Sequence, residues 1–123
     1  LGTVDLEDVA EVAAQVLSEP GHAGATYELC GPEVLTQKDV ANLMGQQLGQ
    51  TVQAQAVPWQ AWRQQAEADG LGTYQVETLL RMFEYYERHG FWGNPKVLAC
   101  LLGRQPTSFV DFLERTMAGW QKG

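Results

Sequence analysis

The sequence predicts an α+β fold that is mainly helical, with about six helices and about three short strands in a single domain covering residues 1–123. Two observations lead to this prediction. Apolar residues recur at helical spacing in several segments, and glycine, proline and helix-capping side chains mark where those segments begin and end. A length of 123 residues with 45% hydrophobic content is enough for one domain with its own core.

The first predicted unit is a strand followed by a helix. Residues 2–4 form the strand, Asp5 accepts backbone N–H bonds as the helix N-cap, and the helix runs to about Ser18 before Pro20 and Gly21 end it. One face of this helix is apolar and is expected to be buried: Leu6, Val9, Ala10, Ala13, Val16 and Leu17.

The second unit repeats this arrangement. Residues 25–30 form a strand, Thr36 and Asp39 form a capping arrangement, and the helix after them ends at Gly49. The side chains that this helix is expected to bury are Val40, Leu43, Met44 and Leu48.

The middle of the chain predicts a third strand and two helices. Residues 52–57 alternate well enough for a strand, and Pro58 separates it from a helix that ends at Gly70. Thr73 caps a long helix that Gly90 ends. Its apolar side carries Val76, Leu79, Leu80, Phe83 and Tyr86, and its supporting ion pairs are Glu77–Arg81 and Glu84–Arg88.

Two shorter helices complete the prediction. Asn94 and Pro95 begin a helix through Leu102. Ser108 and Asp111 open the last helix, whose buried side chains are expected to be Phe109, Phe112, Leu113, Met117 and Trp120.

Three blocks of this sequence carry a family resemblance. They are Val-Asp-x-x-Asp-Val-Ala at residues 4–10, a Gly-Pro-Glu turn at residues 31–33, and a late-helix block at residues 83–91 followed by Leu-Gly-Arg-x-Pro-Thr-Ser-Phe at residues 102–109. In this order and spacing they resemble the NmrA-like branch of the atypical short-chain dehydrogenase/reductase proteins.

The resemblance implies that the chain corresponds to the C-terminal, substrate-binding portion of such a protein, without the N-terminal dinucleotide-binding half. It implies NAD(P) as the cofactor of a full-length parent, which would be an oxidoreductase or a redox-sensing regulator. The chain alone is expected to have no redox activity. The abrupt start at Leu1 is consistent with a fragment.

The residues themselves offer no cofactor site and no catalytic residue. A dinucleotide site needs a glycine-rich turn between a strand and a helix, and neither residues 21–24 nor residues 70–72 have that spacing. The Tyr-x-x-x-Lys pair of many short-chain dehydrogenases is also absent from the sequence. His22 and His89 belong to turns, and a helix C-terminus explains His89 better than catalysis does.

Charge and hydropathy narrow the classes of partner. Residues 1–50 hold eight acids against Lys38 alone, and the net charge is −7. An acidic half repels phosphate backbones, so nucleic acid is not an expected partner. The sequence has no apolar run near the roughly 18 residues that a membrane span needs, so no membrane partner and a cytoplasmic location are expected.

Cysteine usage agrees with a reducing compartment. Cys30 and Cys100 lie far apart, and neither has a second Cys or His at metal-ligand spacing, so no metal site is expected. Both are expected to be small buried residues, and a disulfide between them is a minor alternative.

Aromatic residues form the remaining candidate site. Trp59, Trp62, Tyr85, Phe91 and Trp92 concentrate in the middle third of the chain. Phe83 and Tyr86 match a helical core stripe, whereas Tyr85 lies off that stripe and Phe91 and Trp92 fall in a loop. In the resembled family this region helps form the cleft wall that faces the nicotinamide, which implies contact with an apolar or planar ligand or with the dinucleotide-binding domain.

Two further interpretations stay open. The chain is alternatively a standalone module that binds a small molecule or a protein without a cofactor, or a regulator that binds a transcription factor as some family members do. A sheet reduced to short strands has open edges, which favours a homo-oligomer or pairing with the missing dinucleotide-binding domain.

Overall fold

The computed structural model describes residues 1–120 and contains six helices in that range. They are α1 (Leu6–Ser18), α2 (Gln37–Leu48), α3 (Trp59–Ala68), α4 (Thr73–His89), α5 (Lys96–Leu102) and α6 (Phe109–Trp120). The mainly helical character and the six helices are therefore confirmed. The described residues form two compact units: unit 1 comprises residues 1–53 and 92–120, and unit 2 comprises residues 54–91.

The three predicted strands are wrong. Within residues 1–120 the only β pairing is one isolated antiparallel bridge between Gly2 and Val34, beside which Leu1 and Leu35 exchange two backbone hydrogen bonds of 2.8 and 3.1 Å. Residues 25–30 and 52–57 have no regular structure. A strand exists only where a neighbour pairs with its backbone, and no neighbour for these segments lies within the described part of the chain.

Local capping chemistry fixes the helix ends much as predicted. Asp5 accepts a hydrogen bond from the N–H of Glu7 at 2.9 Å, and Thr36 and Asp39 form a reciprocal capping box. Gly49 ends α2 in the left-handed region with φ of 67°, where glycine carries no Cβ penalty. The predicted cap of α4 is wrong by one residue, because Gly72 is the N-cap.

The core of unit 1 lies between α1 and α5. Val12, Leu98 and Leu102 are buried together there. Half-buried apolar side chains pack against this cluster, namely Val4, Val16, Leu29 and Leu101. Elsewhere in unit 1, α2 packs on α6.

The buried face predicted for α1 is wrong for four of its six residues, whereas Val9 and Val16 are half-buried. Leu6 and Leu17 are 79% and 87% exposed, and Ala10 and Ala13 are exposed as well. The buried positions are instead Asp8 and Val12. The helix has two apolar faces, and the described residues cover the one that contains Val12.

Cys100 and Trp120 also differ from expectation, because both are exposed, while Cys30 is buried as predicted. On α5 the buried face is taken by Leu98 and Leu102, and position 100 lies on the opposite side of the helix. Both cysteines are free.

Unit 2 is a pair of packed helices, α3 and α4, in which Ala66 and Val76 are the buried residues. The Glu84–Arg88 pair is present at 2.6 Å, as predicted. Glu77 pairs with Arg63 of α3 and not with Arg81, so this ion pair joins the two helices. None of the helices in residues 1–120 is long and apolar enough to cross a membrane.

Candidate functional site

The aromatic residues of unit 2 form two groups, of which the first is centred on Phe83. Trp59 stacks on Phe83 with ring centroids 6.4 Å apart and an interplanar angle of 15°. Trp62 meets the same ring edge-on at 5.2 Å and 89°. Trp62 and Phe83 are half-buried, whereas Trp59 is exposed and presents much of its indole to solvent. Trp62 and Phe83 therefore hold the indole of Trp59 in a fixed orientation, while the exposed part of that indole stays accessible to solvent.

The second group lies at the end of α4. Tyr86 packs against Phe91 with centroids 4.8 Å apart, and Tyr85 lies 4.6 Å from the ring of His89. Tyr85 and Phe91 are exposed, and Tyr86 between them is half-buried. Four of the five aromatic residues predicted for the site thus lie in unit 2, and each contacts another aromatic ring there.

Trp92, the fifth predicted residue, belongs to unit 1 and has an exposed side chain. It follows Phe91 directly in the sequence. It stays a separate prediction.

A recess of about 350 Å³ lies beside Trp59. Its walls are formed by Trp59, Arg63, Glu77, Leu80, Arg81 and Glu84. A second recess of about 430 Å³ lies on the N-terminal side of Trp59 and is lined by residues 56–59 and Glu87. Both recesses are open to solvent, so an occupant would lie against the indole and not be enclosed.

The electrostatics of the first recess are set by an ion pair. The hydrogen bond from Arg63 lowers the pKa of Glu77 below its ordinary value, and the same bond raises the pKa of Arg63. Arg81 forms no ion pair within residues 1–120. The recess therefore combines an aromatic surface with two bases and two acids: Arg63 paired with Glu77, Arg81, and Glu84, which pairs with Arg88. Such a wall suits a planar molecule that carries polar atoms.

A different cluster surrounds Asp8 in unit 1. Asp8 is 1% exposed and accepts hydrogen bonds from the Thr107 N–H at 2.7 Å, the Thr107 hydroxyl at 2.9 Å and Arg104 Nη2 at 2.8 Å. Arg104 also contacts Glu11 at 2.6 Å. These contacts join α1 to the loop before α6. We call these four residues the Asp8 clasp.

Burial would raise the pKa of Asp8, but the hydrogen bonds from Thr107 and Arg104 outweigh burial and hold that pKa below its ordinary value. The carboxylate is therefore ionised at neutral pH. Its hydrogen-bond partners, Arg104 and Thr107, are all donors that stabilise the charged form, so it is unsuited to accept a proton during a reaction. Asp8 acts as a structural anchor.

Residues of all three blocks that carry the family resemblance meet in unit 1, although residues 83–91 of the third block lie in unit 2. Asp8 of the first block binds Arg104 and Thr107 of the last, and the Glu33 carboxylate of the Gly-Pro-Glu turn accepts the N–H of Phe109 at 3.2 Å. Gly31 of the same turn lies against the Thr3 carbonyl so closely that a Cβ would overlap it. The contacts of Asp8, Glu33 and Gly31 therefore hold residues 3–10, 31–33 and 102–109 together in unit 1.

The sequence pattern of the NmrA-like family matches residues 1–118, almost the whole chain. The chain belongs to the NmrA-like family. Curated relatives include NAD(P)H azoreductase of Xenophilus azovorans, 23% identical over 95% of this chain, and quinone oxidoreductase 2 of Escherichia coli, 28% identical over 85% of it. This NmrA-like chain spans only 41% and 36% of those two proteins.

Two solved oxidoreductase structures share the fold of this chain. The NADPH-dependent quinone oxidoreductase of Escherichia coli matches 95% of this chain and 42% of its own, with 25% identity and a TM-score of 0.78. The triphenylmethane reductase of Citrobacter sp. matches 94% of this chain with a TM-score of 0.76 and 21% identity. Both proteins have been solved as complexes, the former with NADPH and the latter with NADP(H).

Sequence reasoning missed the Asp8 clasp and the polar wall of the recess. An acid at position 8 is ordinary near a helix N-terminus, and no local pattern pairs it with residues 96 and 99 positions away. One signal was available: the motif at residues 102–109 contains Arg104 and Thr107 with no acid inside it to pair with. Arg63 and Glu77, 14 positions apart, become neighbours only through the packing of α3 on α4.

Proposed function

We propose that this chain is the substrate-binding portion of an NAD(P)H-dependent oxidoreductase of the NmrA-like family, and that it is not catalytic by itself. The observation that carries the proposal is the match to the NADPH-dependent quinone oxidoreductase, which covers 95% of this chain but 42% of that one. The sequence of this chain also has no glycine-rich dinucleotide turn. The nicotinamide cofactor would therefore be bound by the part of the protein that this chain does not match.

We assign substrate contact to Trp59, Trp62, Tyr85 and Phe91 of unit 2. The exposed face of Trp59 supports this role, because a planar ring stacks favourably on an indole that is already held by Phe83. Arg81 lines the same recess and offers a donor to a carbonyl or other polar oxygen. A quinone has this combination of a planar ring and carbonyl oxygens, and it is the substrate class named for the Escherichia coli relative.

The experiment is a titration with tetramethyl-1,4-benzoquinone, followed by the indole N–H signals in NMR spectra. Its ring carbons are all substituted, which suppresses addition of the exposed Cys100 thiol. The chain has four tryptophans, so each reports separately. The signals of Trp59 and Trp62 should shift and saturate, whereas that of Trp120, an exposed residue of α6, should not move.

Two variants sharpen this test. Trp59→Ala should abolish the saturable shift at Trp62, and Tyr74→Ala, which removes an exposed aromatic ring outside the aromatic groups of unit 2, should leave it unchanged. Equal shifts at all four indoles, or no shift at any, would contradict the assignment. The signal of Trp92 tests its separate prediction in the same spectra.

The alternative of a standalone module makes a different prediction. A working module binds its ligand without help, so a small apolar ligand should raise the melting temperature of the chain substantially. A portion of a larger oxidoreductase should bind the quinone weakly, so its melting temperature should rise little at quinone concentrations below those that saturate the NMR shift, and it should not oxidise NADPH. The two functions are separated by measuring melting temperature and NADPH absorbance on the same samples.

A further inference from the structure

The second recess beside Trp59 differs in its chemistry from the first. It has a volume of about 430 Å³ and is lined by Ala56, Val57, Pro58, Trp59 and Glu87. Four of these five residues are apolar, and the fifth carries a carboxylate. The first recess has two arginines in its wall, whereas the wall formed by residues 56–59 and Glu87 contains no base. A ligand in the second recess would therefore contact an indole, aliphatic carbon and a single acid.

Helix α4 places Glu87 beside the indole. Trp59 stacks on Phe83 with ring centroids 6.4 Å apart. Glu87 follows Phe83 by four residues, so its side chain lies one turn further along the same face of α4. The carboxylate and the indole therefore line one recess, although α3 supplies the indole and α4 supplies the acid.

The charge of Glu87 is not neutralised by a base in residues 1–120. Arg88, the next residue, pairs with Glu84 at 2.6 Å, and Arg63 pairs with Glu77. The ion pairs within the described range do not include Glu87. Unit 2 as a whole holds five acids against three arginines. The electrostatic potential at the second recess therefore favours a cation over an anion.

We propose that the second recess binds a planar organic cation, whose positive charge is delocalised over an aromatic ring system. The face of an aromatic ring attracts a cation through its quadrupole, and tryptophan does so most strongly. Glu87 adds a direct interaction between opposite charges, and Val57 and Pro58 offer apolar contact. The quinone site proposed above uses the other recess and its arginines, so the two recesses suit ligands of different charge.

The shape of the recess favours a flat cation over a compact ammonium group. Proteins that recognise quaternary ammonium groups enclose them in a cage of aromatic rings. Among the described residues, Trp59 is the only aromatic one in this wall, and the recess is open to solvent. A flat ring system gains contact by stacking on a single indole, whereas a compact ammonium group would keep most of its water there.

The test is a pair of NMR titrations of the whole chain, one with 1-methylquinolinium and one with quinoline. Both ligands have the same bicyclic ring, but only 1-methylquinolinium is charged at neutral pH. The indole N–H signal of Trp59 reports binding, and the variant Trp59→Phe identifies that signal by its absence. We expect 1-methylquinolinium to bind at least about threefold more tightly than quinoline, as a cation–π contact at an exposed site predicts.

The variant Glu87→Gln removes the charge and keeps the size of the side chain. Binding of 1-methylquinolinium should weaken by about threefold, the effect of losing one exposed ion pair, and binding of quinoline should stay the same. The recess would then still offer its indole and its apolar wall to both ligands. Because Glu87 is exposed, the variant should not disturb the folding of unit 2.

The matched control is Glu67→Gln. Glu67 is an exposed acid of α3 that lines neither recess. It follows Trp59 by eight residues, which is about 12 Å along the helix and longer than the Debye length of about 8 Å at physiological salt. This variant changes the net charge of unit 2 by the same amount as Glu87→Gln, but binding of both ligands should be unaffected.

Three results would overturn the inference. One is equal affinity of the two ligands for the unmodified chain. Another is equal weakening of 1-methylquinolinium binding by Glu87→Gln and Glu67→Gln, which would make net charge the cause. The third is a saturable shift at other indoles that leaves Trp59 unmoved.

The quinone titration keeps this inference separate from the proposed function. Glu87→Gln should leave the shift of Trp59 by tetramethyl-1,4-benzoquinone unchanged, because Glu87 does not line the first recess. If the cation fails to bind while the quinone still shifts Trp59, only this inference fails. If the cation binds and the quinone does not, only the quinone site fails.

Discussion

Replacing Asp8 with alanine should destabilise the chain by about 3 kcal/mol. Asp8 is almost fully buried and accepts two hydrogen bonds from Thr107, and hydrogen bonds to a charged group contribute about 1.5 kcal/mol each at the lower end of their range. The ion pair with Arg104 is left out of this sum, because Arg104 is 44% exposed and solvent screens it. Urea unfolding followed by far-UV circular dichroism measures the change.

The control for this variant is Glu7→Ala. Glu7 is an acid in the same first turn of α1, but it is exposed, so its loss should change the free energy of unfolding by about 0.5 kcal/mol or less. The comparison removes the contribution that any acid makes near a helix N-terminus. If Asp8→Ala costs no more than Glu7→Ala, the Asp8 clasp does not stabilise unit 1 and the reasoning is refuted.

The same carboxylate predicts a pH dependence. The pKa of Asp8 in the folded state lies below its ordinary value of 3.8, so its ionised form stabilises the fold. That stability is fully present above the unfolded-state pKa and is lost as the pH falls through the lower folded-state pKa. The gap between the wild-type chain and Asp8→Ala should therefore be full at about pH 7 and shrink below about pH 4. A gap that stays constant to about pH 2 would show that charge is not the cause.

Two further substitutions test the backbone. Gly31→Ala should severely destabilise or unfold unit 1, because its Cβ would overlap the Thr3 carbonyl. The control Gly119→Ala should be tolerated, because residue 119 has open space around it. Equal expression and stability of the two variants would contradict the packing at residue 31. Thr36→Ala should reduce stability by about 1 kcal/mol through loss of the α2 capping box, measured by urea unfolding. An unchanged unfolding midpoint would show that the cap is dispensable.

The helices were predictable because local chemistry determines where they begin and end. Asp5, Thr36, Ser108 and Gly49 act within a few residues of themselves, so a sequence pattern is sufficient to place them. The strands were not predictable in the same way. A segment with strand-like composition, such as residues 25–30, becomes a strand only when a neighbouring strand pairs with its backbone. The sequence of the segment does not show whether that neighbouring strand is present.

The candidate site was predicted in composition but not in arrangement. The exposed position of Tyr85 follows from its place off the apolar stripe of α4, which periodicity reveals, and that of Phe91 from its place in the loop after this helix. The stacking of Trp59 on Phe83 and the Arg63–Glu77 pair require two helices to pack in a particular register. The buried face of α1 was assigned wrongly for a related reason: periodicity detects an apolar face, and when a helix has two of them it cannot tell which one this chain covers.

The order of the two units along the chain affects how the protein is made. Unit 2 is inserted in the sequence of unit 1, and the cluster of Val12 with Leu98 and the contacts of Asp8 with Arg104 both join its two ends. At about 5–20 residues per second, a ribosome needs several seconds to add the stretch between residue 53 and residue 104. Through that interval the apolar face of α1 that contains Val12, and the carboxylate of Asp8, lack the residues that later contact them. The core of unit 1 can therefore close only after the whole of unit 2 has been synthesised. Until then, association of this face with other chains is prevented only if a chaperone covers it.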